Sequence, residues 1–81
     1  MRKLTNEDII KNSVDTINQY KVLQYLKKNL NIDSFDVYLF DRNTIKIIDK
    51  NNEIGYFDFN KDTKEVSFFE KAKNLDYEIN L

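Results

Sequence analysis

Two rhythms divide the chain. Between residues 6 and 31 the apolar side chains recur at helical spacing, and from residue 35 onward they alternate one by one with polar residues. Ile9, Ile10, Val14 and Ile17 fall on one face of a helix turning about 100° per residue, whereas Val22, Leu23, Leu26 and Leu30 fall on nearly the opposite face if that helix continues. One straight helix cannot bury both stripes against one core. The intervening stretch "SVDTINQ" is rich in side chains that cap helices, so the spacing predicts a broken helix pair, the rival being one long helix covered on two sides. The first helix should begin near residue 6, because Thr5 followed three residues later by Asp8 has the form of a capping box.

The β-rich part reads as strands at 35–41, 44–50, 53–59 and 64–70, separated by "DRN", "KNN" and "NKDT". Connections this short make neighbouring strands antiparallel, which gives a meander. The last residues, "NLDYEINL", alternate again and predict a fifth strand at 75–80, with a short helix on "FEKAKN" as the rival. The expected architecture is therefore α+β: a single domain over 1–81, helical over 1–31, with an antiparallel sheet of four to five strands over 34–81.

Alternation sorts the strand residues onto two faces. Phe35, Val37, Leu39, Ile45, Ile47, Phe57, Phe59, Val66 and Phe68 make a core-facing set that the helices can cover. The opposite face should be polar, yet it holds Tyr38, Phe40, Ile48, Ile54, Tyr56 and Phe69 beside Asp36, Lys46, Asp58, Glu65 and Ser67. So many apolar groups require a cover. Three arrangements supply it: helices wrapped around both faces, a one-residue slip of register, or a partner seated on Tyr38, Phe40, Ile48, Ile54, Tyr56 and Phe69.

One stretch invites a metal. In "IGYFDFNKDTKEVSFFE" the residues Asp58, Asn60 and Asp62 stand at every second position, as at the start of a calcium-binding EF-hand loop. With Asp58 first, Thr63 stands where that loop needs glycine and Phe69 where it needs a bidentate glutamate. A hairpin turn accounts for the same residues, since Asn and Asp side chains accept hydrogen bonds from nearby backbone. In a meander the first and third turns share one end of the sheet, which would gather Asp41, Asp58 and Asp62 there and leave Asp49 and Glu53 at the other.

Composition narrows the chemistry further. There is no histidine and no cysteine, which removes the usual zinc ligands, thiolate nucleophiles and disulfides, and the single glycine leaves no phosphate-cradling loop. The chain is expected to be no enzyme and to need no cofactor; a hydrolase or transferase would have to run on clustered carboxylates. The net charge of −1 hides a polarity, with six basic and three acidic residues in 1–31 against seven and eleven in 32–81. Tyr20, Lys21, Tyr25, Lys27 and Lys28 interleave rings and charges as single-strand binders do, but the total is far from the footprint of a DNA-binding domain. "QYKVLQYLKKNLNI" resembles the first helix of a winged-helix DNA-binding domain, although no second and third helix follow it.

No apolar stretch has the length of an export signal or a membrane span, so a cytoplasmic location without membrane contact is expected, in the host cytoplasm if the chain is phage-encoded. Eleven lysines against two arginines, with eleven asparagines and nine isoleucines, is the bias of an AT-rich genome. These observations lead to one expectation: a small protein-binding module, an accessory or inhibitor protein of a phage or other mobile element directed at a host enzyme or defence nuclease, in the manner of anti-CRISPR proteins. Its partner would be another protein, such as a nuclease or nucleoprotein complex, or a second copy of itself. The alternative is a nucleic-acid-binding regulator that uses the basic N-terminal half.

Overall fold

A computed structural model describes residues 1–70; the expected strand at 75–80 lies outside the described residues. The chain forms β1 (Arg2–Lys3), α1 (Asn6–Lys11), α2 (Ile17–Asn29), a 3-10 turn (Ile32–Ser34), β2 (Asp36–Asp41), β3 (Thr44–Ile48), β4 (Ile54–Asn60) and β5 (Glu65–Phe69). The five strands make one antiparallel sheet in sequence order, with the helices on it, so the fold is α+β.

The helix break falls where the two stripes require it. Thr5 caps α1 through a capping box with Asp8, and Asn12 ends the helix in the left-handed region. Thr16 then caps α2 through a second capping box with Gln19. Breaking here lets α2 rotate independently, and it buries Val22, Leu23 and Leu26 completely. The first stripe is only partly core. Ile9 is buried, but Ile10 remains 74% exposed because the six-residue α1 presents little more than one side chain inward, and Ile17, the first residue of α2, is 75% exposed because α2 turns the face of Val22, Leu23 and Leu26 to the core instead.

The sheet has one strand that its pattern did not announce. Arg2 and Lys3 pair with Leu39 and Tyr38, making β1 an edge strand too short to show alternation. The remaining register follows the expected faces: Val37↔Ile47, Ile45↔Phe57 and Phe57↔Phe68 on the inner face, Tyr38↔Lys46 and Tyr56↔Phe69 on the outer. The register shifts once, between Leu39 and Asp41. Leu4, Ile9, Val22, Leu23, Leu26, Ile32, Val37, Leu39, Ile45, Ile47, Phe57 and Phe59 form one core, and it lies between the helices and the inner face. Among the described residues the helices cover one face of the sheet only.

Candidate functional site

Among the described residues, helix cover on the inner face is incomplete. A helix is about 10 Å wide and strands lie about 4.8 Å apart, so one helix shields roughly two strands. α2 packs chiefly on β3 and β4 and reaches β5 only at its margin. On β5, Val66 is half-buried and Phe68 is 55% exposed, although both point to the helix side of the sheet. Phe68 was expected in the core; its exposure corrects that expectation, and the cause is the width of α2. The ring instead lies across the chain's single glycine: a Cβ on Gly55 would meet Phe68 Cε1 at 2.7 Å. It also leans on Phe57, with centroids 5.1 Å apart, and Phe57 in turn meets Tyr25 at 6.1 Å.

Between α2 and β5 this leaves an open groove of ≈ 660 Å³ lined by Tyr20, Lys21, Gln24, Tyr25, Phe59, Lys64, Glu65 and Val66. Tyr20 and Tyr25 are exposed, and Lys21 Nζ stands 4.7 Å from the centre of the Phe59 ring. Gln19 fixes the helical wall. Its Oε1 accepts hydrogen bonds from the N–H groups of Asp15 (2.8 Å) and Thr16 (3.0 Å), while its Nε2 donates to the Asp41 carbonyl at 2.7 Å. Thr16 Oγ1 donates to the Arg42 carbonyl and Asn18 Nδ2 donates to Asn43 Oδ1, both at 2.6 Å, so the start of α2 is tied to the β2–β3 turn at three points.

No family model matches the chain, and no curated protein or solved structure does either.

The six outer-face residues lie together, as their alternation places them, but with different exposures. Tyr56 is only 5% exposed and meets the edge of Phe40 at 5.0 Å; Tyr38, Phe40, Ile48 and Phe69 are half-buried, and Ile54 is exposed. Lys46 Nζ lies 5.8 Å from the Tyr38 ring, and Lys3 pairs with Asp36 at 3.3 Å. This face is a second packed layer, separate from the main core.

The spaced Asp-Asn-Asp is a turn. Asn60 Oδ1 accepts from the N–H groups of Asp62 (2.9 Å) and Thr63 (3.2 Å), and Lys64 N–H donates to the Asn60 carbonyl at 2.7 Å. Asp41 and Asp49 act alike in the other two hairpins, accepting from Asn43, and from Asn51 and Glu53. Asn43 does come to the same end of the sheet as Asp58 and Asn60, yet no three carboxylates gather into a metal-binding group among the described residues.

The expected basic cluster is divided by the helix. Lys27 Nζ donates to the Ile9 carbonyl and to Asn12 Oδ1, both at 3.0 Å, which commits it to the C-terminal end of α1. Lys21 and Lys28 stay exposed on another face of α2. Hydrogen bonds from Thr5, foremost its backbone N–H, hold the Asp8 carboxyl below the usual aspartate range. No helix of the described residues is long and apolar enough to cross a membrane.

Sequence reasoning missed the groove because it sorted residues by face without comparing widths. Two helical stripes against four or more strands already signals a shortfall of cover. The shortfall falls on the last described strand, at the margin of α2.

Proposed function

We propose that the chain is a non-catalytic protein-binding module whose docking surface is the α2–β5 groove together with Phe68. The observation that carries this reading is a run of exposed rings, Tyr20 and Tyr25 in the lining of an apolar groove and Phe68 beside it through Phe57, at the margin of the described helices. Large rings beside charged side chains are the composition of interface anchors and rims. AT-biased composition supports the narrower proposal of an accessory or inhibitor protein of a phage or other mobile element acting on a host enzyme or defence nuclease.

The test is a comparison of tagged wild type with Phe68→Ser in an affinity purification from the source cell, followed by reconstitution with the purified partner. Phe68 is half exposed, so its loss costs about 1 kcal/mol of folding stability and leaves the circular-dichroism spectrum folded. The expected result is a partner that binds wild type directly and not Phe68→Ser or Tyr25→Ser. Equal binding by all three proteins would remove the groove from consideration.

A further inference from the structure

The groove carries an unpaired positive rim, and one of its lysines stands where folding alone favours another residue. Among the described residues three non-glycine residues have positive φ: Asn12 at 57°, Asn52 at 64° and Lys64 at 59°. Asparagine tolerates the left-handed region because its short amide bonds to local backbone, whereas lysine has no such compensation there. Lys64 closes the β4–β5 hairpin, and its side chain lines the groove. Asparagine or glycine would close the same turn with less strain, so what Lys64 adds at this position is its ammonium group. On the facing wall stands Lys21, and Lys28 follows two turns further along α2 on the same exposed face. Neither Lys21 nor Lys64 forms an ion pair among the described residues, and Glu65 is the one acid in the lining.

We propose that the groove takes an acidic peptide segment of a partner protein, with a bulky apolar side chain seated among Tyr25, Phe59 and Val66 and flanking carboxylates on Lys21 and Lys64. This deepens the binding-module reading and rests on it. The other occupants fit less well. A nucleic-acid strand needs free ring faces, but Lys21 covers one face of Phe59 and Tyr25 leans on Phe57, while Lys27 is turned away to α1. A second copy docked groove to groove about a two-fold axis would bring Lys21 and Lys64 against their own equivalents.

The experiment pans a phage-displayed library of short random peptides on the full-length chain. Enriched sequences are then synthesised with a fluorescent label and measured by anisotropy. The expected consensus is an aromatic or branched apolar residue flanked by Asp or Glu, with affinity that falls as salt rises. Lys64→Asn should weaken binding about tenfold while leaving the melting temperature unchanged or higher, and Lys21→Gln should weaken it to a similar degree. That opposition of binding and stability is not expected of a residue with a purely structural role.

Failure to enrich any peptide, or a consensus without acids, overturns the proposal. The chain's own residues 74–81 include Asp76-Tyr77-Glu78, so a consensus of the expected kind is checked on the full-length triple variant Asp76→Asn, Tyr77→Ser, Glu78→Gln: binding of the enriched peptides about tenfold tighter than by wild type assigns the groove to that segment, and competition by an oligothymidine strand assigns it to nucleic acid; either also overturns the proposal. If a purified partner is lost by Phe68→Ser but unaffected by Lys64→Asn and Lys21→Gln, the binding module stands and the acidic-peptide inference falls.

Discussion

Gln19 is where the groove and the fold's stability meet, and replacing it with leucine tests the account of how α2 is held. The side chain is 3% exposed and makes three hydrogen bonds, accepting from two backbone N–H groups and donating to the Asp41 carbonyl. At about 0.5–1.5 kcal/mol net for each bond, their sum is roughly 1.5–4.5 kcal/mol. Two corrections reduce it. Asp15 and Asp41 are exposed residues whose backbone can be rehydrated in part, and buried leucine gains transfer energy that glutamine lacks. The expected cost is therefore about 2 kcal/mol, or about 10 °C in melting temperature for a domain of this size. Gln19→Glu separates the roles: it keeps the acceptor for Asp15 and Thr16 but loses the donor and sets a carboxylate against the Asp41 carbonyl. Urea titration followed by circular dichroism should show both variants destabilised with an unchanged m-value. Gln19→Leu within 0.5 kcal/mol of wild type would refute the claim that this side chain anchors α2 to the sheet.

Three further outcomes are expected. Gly55→Ala should keep the fold, because the clash is with the swingable ring of Phe68 rather than with backbone, and the ring should leave Phe57; unchanged Phe68 and Phe57 proton shifts in the NMR spectrum would contradict it. Leu26→Ala, at a site with no exposure at all, should cost about 2–5 kcal/mol, read by the same urea titration, and a smaller loss would mean that the core is not where it is placed here. The depressed pKa of Asp8 means that the folded state favours its ionised form, so its contribution to stability is present above the ordinary value of 3.8 and is lost as pH falls through the lower folded value. Wild type and Asp8→Ala should accordingly differ in melting temperature at pH 7 and converge in strong acid; a constant difference across pH would show that the capping carboxylate is not the source.

Much of this fold is legible because its local signals agree. Thr5 with Asp8, and Thr16 with Gln19, each mark a helix start by the spacing of a capping box, and the two opposed stripes demand a break between them. Alternation assigned Val37, Leu39, Ile45, Ile47, Phe57 and Phe59 to the core face because a period of two leaves no freedom once register is set. What escaped depends on lengths and widths instead of periodicity. β1 is two residues long, and no pattern of period two can be read from two residues. Ile10 and Ile17 share a stripe with Ile9 only in a continuous helix; the short α1 turns Ile9 inward and leaves Ile10 outside, and Ile17 opens α2, whose core face is that of Val22, Leu23 and Leu26. The candidate site was only partly legible for the same reason: the rings of Tyr20 and Tyr25 were visible near their lysines, but that Phe68 and Lys64 stand across from α2 depends on where the helix layer ends.

Gly55 and Lys64 depart from local preference in opposite directions, and together they place the groove. A glycine inside a strand sacrifices β-propensity, and here the space it vacates is filled by the ring of Phe68, which holds an exposed aromatic flat against the sheet. A lysine at positive φ sacrifices backbone comfort, and here it sets a charge at the mouth of the same region. Folding alone would favour a β-branched residue at the first position and asparagine or glycine at the second. Sites where sequence and local structure disagree are where function is to be sought, because a purely structural constraint would have removed the disagreement. The outer face shows no comparable conflict: Tyr56 is buried against Phe40 in ordinary strand conformation. Phe68, set by Gly55, and Lys64, which lines the groove, both lie on the α2 side of the sheet, and that favours this side over the outer face as the place where a partner is held.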